Sequence, residues 1–333
     1  MWHEIQLIVI AAGCSGVLIL LLLPMFRRYA LARPNARSSH HVPTPQGGGL
    51  AVILAVVIAL GVSALVMGPE VIAPAAVLPL GVAVVLLTAV GGIDDIFPLS
   101  AGLRLGVQTA AVALTVLTLP DDLRALPILP AAMERTAEIA AGLWFVNLVN
   151  FMDGIDWMTV AETVPSTLFI FVLFAAVPVP AGPVALALCG AVLGFAPFNR
   201  PTRAKLFLGD VGSLPIGLLL FWLLLQLAGS GHLAAAILLP LYYVADATIT
   251  LLRRWARGER LTEAHRSHFY QLAVIRGLPV MTVVQWVCAI NAALALLAAL
   301  SVFLSSGWFD VAALAGGGML VAALLVMMER GRR

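Results

Sequence analysis

The segment Val90-Gly-Gly-Ile-Asp-Asp-Ile-Phe97 sets two carboxylates, Asp94 and Asp95, just after an apolar run from Val77 to Val90. Charge beside hydrocarbon is costly. Two like charges this close stay ionised when a cation lies between or beside them. Mg²⁺ is the usual cation where phosphates are handled. Neighbouring residues on a helix point about 100° apart, so both acids reach one ligand best from a helix end or a loop. The plainer alternative is a solvated acidic loop.

Four further clusters carry polar chemistry. In Asn147-Leu-Val-Asn150-Phe-Met-Asp153-Gly-Ile-Asp156 the amides and acids recur every three residues. That spacing lines one helix face, and a polar stripe in an apolar span faces a cavity rather than lipid. Interhelical hydrogen bonding suits the two asparagines equally well. From Phe198 to Ser213, the basic residues Arg200, Arg203 and Lys205 precede Asp210, which sits between Gly209 and Gly212. Cations beside one carboxylate and glycine-freed backbone suit a phosphate–metal site. Around 33–49, Arg37, His40 and His41 lead through a proline-bounded turn into Gly47-Gly-Gly49. Glycines opening a helix expose N–H groups that attract anions. Finally, His265 and His268 fall three apart, which predicts neighbours on one helical face. They lack an obvious third zinc ligand and read better as hydrogen-bond donors to a diphosphate. Asp246 is expected to pair with nearby arginines.

The elements that position these groups are membrane helices. The chain has 333 residues, 62% hydrophobic and 11% charged, with mean hydropathy +1.04. Continuous apolar runs of about 20 residues predict helices, not the alternating strands of a barrel. We read an all-α polytopic protein, a single domain over 1–333, with eleven spans: 5–24, 49–67, 74–91, 104–119, 136–151, 163–178, 183–198, 212–229, 233–252, 280–304 and 309–328. The first reads as a span rather than a cleaved leader, because Arg27-Arg28 follow it and no small-x-small site ends it. Cys14, Cys189 and Cys288 all lie in apolar runs and read as packing residues. Seventeen of the nineteen lysines and arginines fall in, or border, one set of alternate loops; only Arg124 and Arg135 lie in the other. The positive-inside rule then puts the N-terminus outside, the C-terminus in the cytoplasm, and all five clusters on the cytoplasmic face.

The motifs together resemble the polyprenyl-phosphate N-acetylhexosamine-1-phosphate transferases, glycosyltransferase family 4, relatives of the phospho-N-acetylmuramoyl-pentapeptide translocase. The resemblance runs through Arg37-Ser-Ser-His40, Pro43-Thr-Pro45, Gly47-Gly-Gly49, Asp94-Asp95 with Leu99-Ser100, Asn147 to Asp156, Gly209-Asp210-x-Gly212-Ser213 and His265-x-x-His268. It implies a bacterial inner-membrane enzyme that moves a sugar-1-phosphate from a UDP-N-acetylhexosamine to undecaprenyl phosphate and releases UMP. The HRSHFYQ form resembles the branch that starts O-antigen or other surface polysaccharides. Mg²⁺ is implied as cofactor, with Mn²⁺ as a substitute, and Asp210 as its ligand. Asp94 and Asp95 are the implied catalytic pair, Asp94 acting on the lipid phosphate. Arg37, His40, Asn150, Asp153, Asp156, Lys205, His265 and His268 are the implied substrate-binding residues. The partners expected are the two substrates and membrane lipid, with no nucleic acid, and a homodimer is left open. Two positions depart from the family pattern: Ala32 replaces an acid, and Trp157 replaces a glycine, where its ring is expected to reshape the sugar pocket.

Two rival classes share some of these features. An ion-coupled transporter places its ionisable groups near the midplane. A Mg²⁺-dependent membrane prenyltransferase has paired acidic motifs but no use for the histidine pair or for Gly-Asp-x-Gly-Ser. The orientation is checked directly. In a chain lacking its native cysteines, single cysteines introduced in 121–134 should react with a membrane-impermeant thiol reagent added to intact cells, and those in 256–262 should not. The reverse pattern would invert the assignment.

Overall fold

The computed structural model describes residues 2–32, 43–68, 74–174, 181–201, 203–260 and 265–331. Arg37 and His40 lie outside the described residues. The described chain is helical almost throughout, in the order α1 (Trp2–Tyr29), α2 (Gly48–Met67), α3 (Pro74–Ile96), α4 (Ala101–Leu117), α5 (Ala131–Met152), α6 (Met158–Phe174), α7 (Ala181–Phe195), α8 (Asp210–Gly229), α9 (Leu233–Leu238), α10 (Leu241–Ala256), α11 (Phe269–Ile275), α12 (Val280–Leu304) and α13 (Gly307–Arg330). By length and composition, seven of these helices can cross a membrane, and the chain is a multi-pass membrane protein. Each of the eleven expected spans falls largely on helix among the described residues; residues 175–178 of the sixth lie outside them. The ninth is split: the chain breaks at Leu239-Pro240 between α9 and α10, where proline has no N–H to continue the ladder. Beyond the break, α10 is amphipathic, burying Tyr242, Tyr243, Asp246, Ala247, Thr250 and Arg254 at helical spacing.

Helix α8 is the axis. Its most apolar window is 94% buried, whereas the windows of α1, α2 and α3 are 22 to 39% buried. Lipid offers no hydrophobic drive to pack helices, so close approach depends on small residues. A Cβ on Gly49 of α2 would lie 2.0 Å from the Gly212 Cα of α8, and one on Gly91 of α3 would lie 2.3 Å from the Asp210 carbonyl oxygen. The same device joins α7 to α1: Cβ atoms at Gly190 and Gly194 would come within 2.4 and 2.3 Å of the carbonyl oxygens of Ile8 and Ala12.

One small irregular element departs from the all-helical expectation. Strand β1 (Leu31–Ala32) pairs antiparallel with β2 (Thr44–Pro45), with Leu31 opposite Pro45 and Ala32 opposite Thr44. The chain then meets the segment before α8: the Phe207 N–H donates to the Pro45 carbonyl at 2.8 Å, and the Gly48 and Gly49 N–H groups donate to Phe207 and Leu208 at 2.9 and 2.8 Å. Backbone bonds therefore knit the start of α2 to the approach of α8, as buried backbone requires.

The glycine crossing gives a packing prediction. Gly49→Ala should lower stability by about 1–3 kcal/mol, the usual cost of overpacking. Gly61→Ala on the same helix, where a Cβ meets nothing within 4 Å, should be neutral. Thermal unfolding of the two variants in one detergent measures the difference.

Candidate active site

The Asp94-Asp95 pair lies in the last turn of α3, which runs to Ile96 rather than ending before the pair. Of the two expected placements, a helix end or a loop, the pair takes the helix end, and the two side chains diverge. Asp95 turns to the N-terminus of α8. Its Oδ1 accepts the Asp210 N–H at 3.0 Å and its Oδ2 the Val211 N–H at 3.1 Å. Gly209 at the helix entry has φ 77 and no side chain to cap the helix, so an acid from another helix does so. A carboxylate there satisfies orphan donors and meets the positive end of the helix dipole. The Gln46 amide fixes the turn from the other side, donating to the Asp95 carbonyl at 2.7 Å.

Asp94 turns outward. Its Oδ1 accepts the Leu99 N–H at 2.6 Å, and its Oδ2 accepts Arg104 Nη1 at 2.6 Å. The same guanidinium nitrogen lies 3.8 Å from Asp210 Oδ2. On the far side, Asn150 Nδ2 donates to Asp210 Oδ1 at 2.8 Å and to Ser213 Oγ at 2.9 Å. Asp94, Arg104, Asp210, Asn150 and Ser213 thus form one connected polar row. Arg104 was expected only as a charge bordering a loop; here it joins two carboxylates from different helices.

Three members of this row, Arg104, Asn150 and Asp210, line a cavity of about 700 Å³. Arg104 and Gln108 of α4, Asn147 and Asn150 of α5, Asp210, His265, His268 and Gln271 supply its polar lining, and Trp144 and Leu251 part of its apolar lining. Asn147 donates to Gln108 Oε1 at 2.8 Å. A second, apolar slot of about 430 Å³ shares Trp144 and Leu251 and continues between α5 and α10 past Thr248, Leu252 and Trp255.

The polar stripe of α5 is shorter than its sequence spacing predicts. The helix ends at Met152, so Asn147 and Asn150 line the cavity, whereas Asp153 and Asp156 lie beyond the helix and do not. Asp153 accepts the Thr159 hydroxyl. Burial pushes Asp153 up to about 8, and the nearby charges of Asp210, Asp156 and Asp95 push the same way against that hydroxyl. Asp156 is buried, 3% exposed. Trp157 takes the left-handed conformation with φ 63, as the glycine at this position in the family pattern would. Its ring is not in the cavity wall. The indole Nε1 donates to the Ala196 carbonyl at 2.6 Å, and the Trp157 N–H donates to Asn199 Oδ1 at 2.8 Å. The ring therefore braces a loop instead of reshaping the pocket. Lys205 is exposed and also outside the cavity lining.

The histidines share no helical face, because both precede α11, which begins at Phe269. They meet by stacking, with ring centroids 4.9 Å apart. Burial pushes His265 down to about 4, helped by the His268 ring and the Arg254 guanidinium. In this setting the neutral ring is favoured, and His265 lines the cavity as a hydrogen-bonding group. Behind His268 lies Asp246, fully buried. It takes His268 Nδ1 at 3.2 Å and the N–H groups of Phe269 and Tyr270 at 3.0 and 3.2 Å. The expected arginine partners lie elsewhere: Arg253 pairs with Glu329 and Arg254 with Glu259. The signal in the sequence was an acid flanked by Tyr242 and Thr250, four residues to either side on one face of α10. Tyr270 completes the docking of this segment by donating its hydroxyl to the Phe151 carbonyl at 2.9 Å.

A family model described as Glycosyl transferase family 4 matches residues 77–228, a stretch that contains Asp94, Asp95, Asn150 and Asp210. A decaprenyl-phosphate N-acetylglucosaminephosphotransferase of Mycobacterium tuberculosis (strain CDC 1551 / Oshkosh) is 28% identical over 91% of this chain and 83% of its own length. The protein of that name from Mycobacterium leprae (strain TN) is 30% identical over 63% of this chain; the match spans 56% of that relative, little more than half its length. A probable undecaprenyl-phosphate N-acetylglucosaminyl 1-phosphate transferase of Bacillus subtilis (strain 168) is 26% identical over 81% of this chain and 78% of its own length. The acids, amides and histidine segment fall in the order of the family pattern and meet at one row and one cavity, and over residues 77–228 the chain is similar to glycosyl transferase family 4.

Proposed function

We propose that the chain transfers a sugar-1-phosphate, an N-acetylhexosamine or 6-deoxy derivative, from a UDP-sugar to undecaprenyl phosphate, at the cytoplasmic face of a bacterial inner membrane. The product would start O-antigen or another surface polysaccharide. The observation that carries this reading is that the polar cavity and the apolar slot lie against the same two side chains, Trp144 and Leu251. A charged, water-soluble donor suits the first and a polyprenyl tail the second. The names of the mycobacterial and Bacillus relatives support the same pair of partners. The polar groups gather at the ends of α3, α5 and α8, which favours an enzyme over a transporter with its site at the midplane.

In this reading an oxygen of the lipid phosphate attacks the β-phosphorus of the UDP-sugar. The new P–O bond forms as the bond to the α-phosphate oxygen breaks, and UMP leaves with that oxygen. Such a transfer needs in-line positioning and neutralised charge rather than covalent help from the protein. Arg104 supplies a fixed cation on the cavity wall, with Asp94 holding it. Asn150 holds Asp210 in place, and Asn147 and Gln108 present amides to the donor. The donor set also fits Mg²⁺: Asp210 on the cavity wall would offer a carboxylate oxygen, a hard ligand. Among the described residues no three or more His, Cys, Asp or Glu side chains are grouped to hold a metal unaided, which suits an ion that takes one or two carboxylates plus substrate phosphates. When bound, that ion would neutralise charge on the diphosphate.

The first test is a panel of UDP-N-acetylhexosamines with undecaprenyl phosphate, with and without Mg²⁺, scored for UMP and a lipid-linked sugar. Asp210→Asn should insert normally and lose at least about 100-fold in turnover. Near-normal turnover at low Mg²⁺ would remove Asp210 as the metal ligand.

Asp94 gives a pH test. A phosphate monoester ionises a second time near pH 6, so at higher pH the acceptor needs no base. If Asp94 held a proton from the acceptor, Asp94→Asn would recover between pH 6 and 9. Because both Asp94 oxygens are engaged by Leu99 and Arg104, we expect the rate ratio of variant to wild type to stay flat across that range. Recovery at high pH would restore Asp94 as the base.

A further inference from the structure

We propose that Asp246, from inside the helix bundle, is a positioning residue that fixes the tautomer and the aim of His268. This rests on the transferase reading for what His268 meets, but not for the geometry. The carboxylate is fully buried on α10. Every neighbour placed against its oxygens can donate: the Tyr242 and Thr250 hydroxyls at 3.1 and 3.4 Å, and the Phe269 and Tyr270 N–H groups at 3.0 and 3.2 Å. A buried charge persists only when it is hydrogen-bonded in this way. His268 Nδ1 lies 3.2 Å from Oδ1, the oxygen that also takes the Phe269 N–H. The ring also faces the Gln271 N–H in a capping box that the Gln271 side chain closes on the His268 N–H; of the two contacts, the acceptor-only carboxylate oxygen favours the form that carries hydrogen on Nδ1.

The consequence is directional. With Nδ1–H tied to α10, Nε2 is the ring nitrogen left for a ligand, and His268 is in the cavity wall with Arg104, Asn150 and Asp210. The ring cannot swing, because His265 stacks on it at 4.9 Å and Tyr270 at 5.8 Å. The same carboxylate caps α11 through the Phe269 and Tyr270 amides. One side chain thus sets both the start of the helix and the heading of the imidazole before it. Carboxylates that orient a working histidine do this elsewhere, and losing one typically costs about 10- to 100-fold.

A double-mutant cycle separates this role from simple helix capping. Asp246→Asn and His268→Gln should each lower kcat/KM by about 10- to 100-fold. The double variant should lose no more than the worse single, because Asp246 acts through His268. Losses that multiply would overturn the proposal and leave Asp246 as a cap alone. A second measurement uses no substrate and no Asp246 variant. In ¹⁵N-histidine-labelled wild type, with His268→Gln used to assign the signal, Nδ1 of His268 should be protonated. A ring protonated on Nε2 alone would also overturn the proposal. If no UDP-sugar is turned over by wild type, the transferase reading fails, and the ¹⁵N signal still decides the role of Asp246.

Discussion

Everything in the site depends on how the first turn of α8 is terminated. This is the most buried of the apolar helices, and its leading amides have no partner within the helix itself. Glycine at 209 permits the sharp entry but supplies no cap. Asp95 supplies it across a helix boundary, one oxygen to each of two amides. Unpaired, those donors would each cost roughly 1–3 kcal/mol, and the carboxylate that caps them would be an unpaired charge in an apolar setting. Each therefore makes the other affordable. Because Asp210 is itself the first residue of α8, the bond that finishes the helix also places the acid beside Arg104 and Asn150.

The glycines make that bond geometrically available. Gly91 lets α3 approach the Asp210 carbonyl, and Gly212 lets α2 approach from the opposite side. In hydrocarbon, contact of this kind replaces the hydrophobic effect as the source of helix association. The two adjacent acids then divide their labour by the roughly 100° between neighbouring side chains on a helix. One serves backbone, and the other serves Arg104 and the Leu99 amide.

Much of this was legible in the sequence, and the rest fails for identifiable reasons. Apolar run length revealed the helices, because the bilayer sets that length. The break at Pro240 was passed over since apolarity continues through it. The cluster of Asp94, Asn150 and Asp210 was legible as chemistry too costly for lipid. What spacing could not show was where each helix stops. Ending α5 at Met152 moved Asp153 and Asp156 off the cavity wall, and starting α11 at Phe269 took both histidines out of helix. Arg104 was hidden because topology already explained a basic residue near a loop. Asp246 was hidden because its partners are backbone amides 23 and 24 residues along the chain, which no local pattern announces.

Trp157 has a consequence for how this chain can diverge. A bulky residue with positive φ costs on the order of 1–2 kcal/mol against the right-handed alternative. The indole bond to Ala196 and the Asn199 side chain hold it there. The loop after α5 and the turn after α7 are thereby tied into a single unit. A substitution at 199 that breaks its bond, with tryptophan kept at 157, leaves that strain with less compensation. Reverting to glycine would release both segments from that mutual constraint, which makes residue 157 the point where this part of the sequence can begin to change.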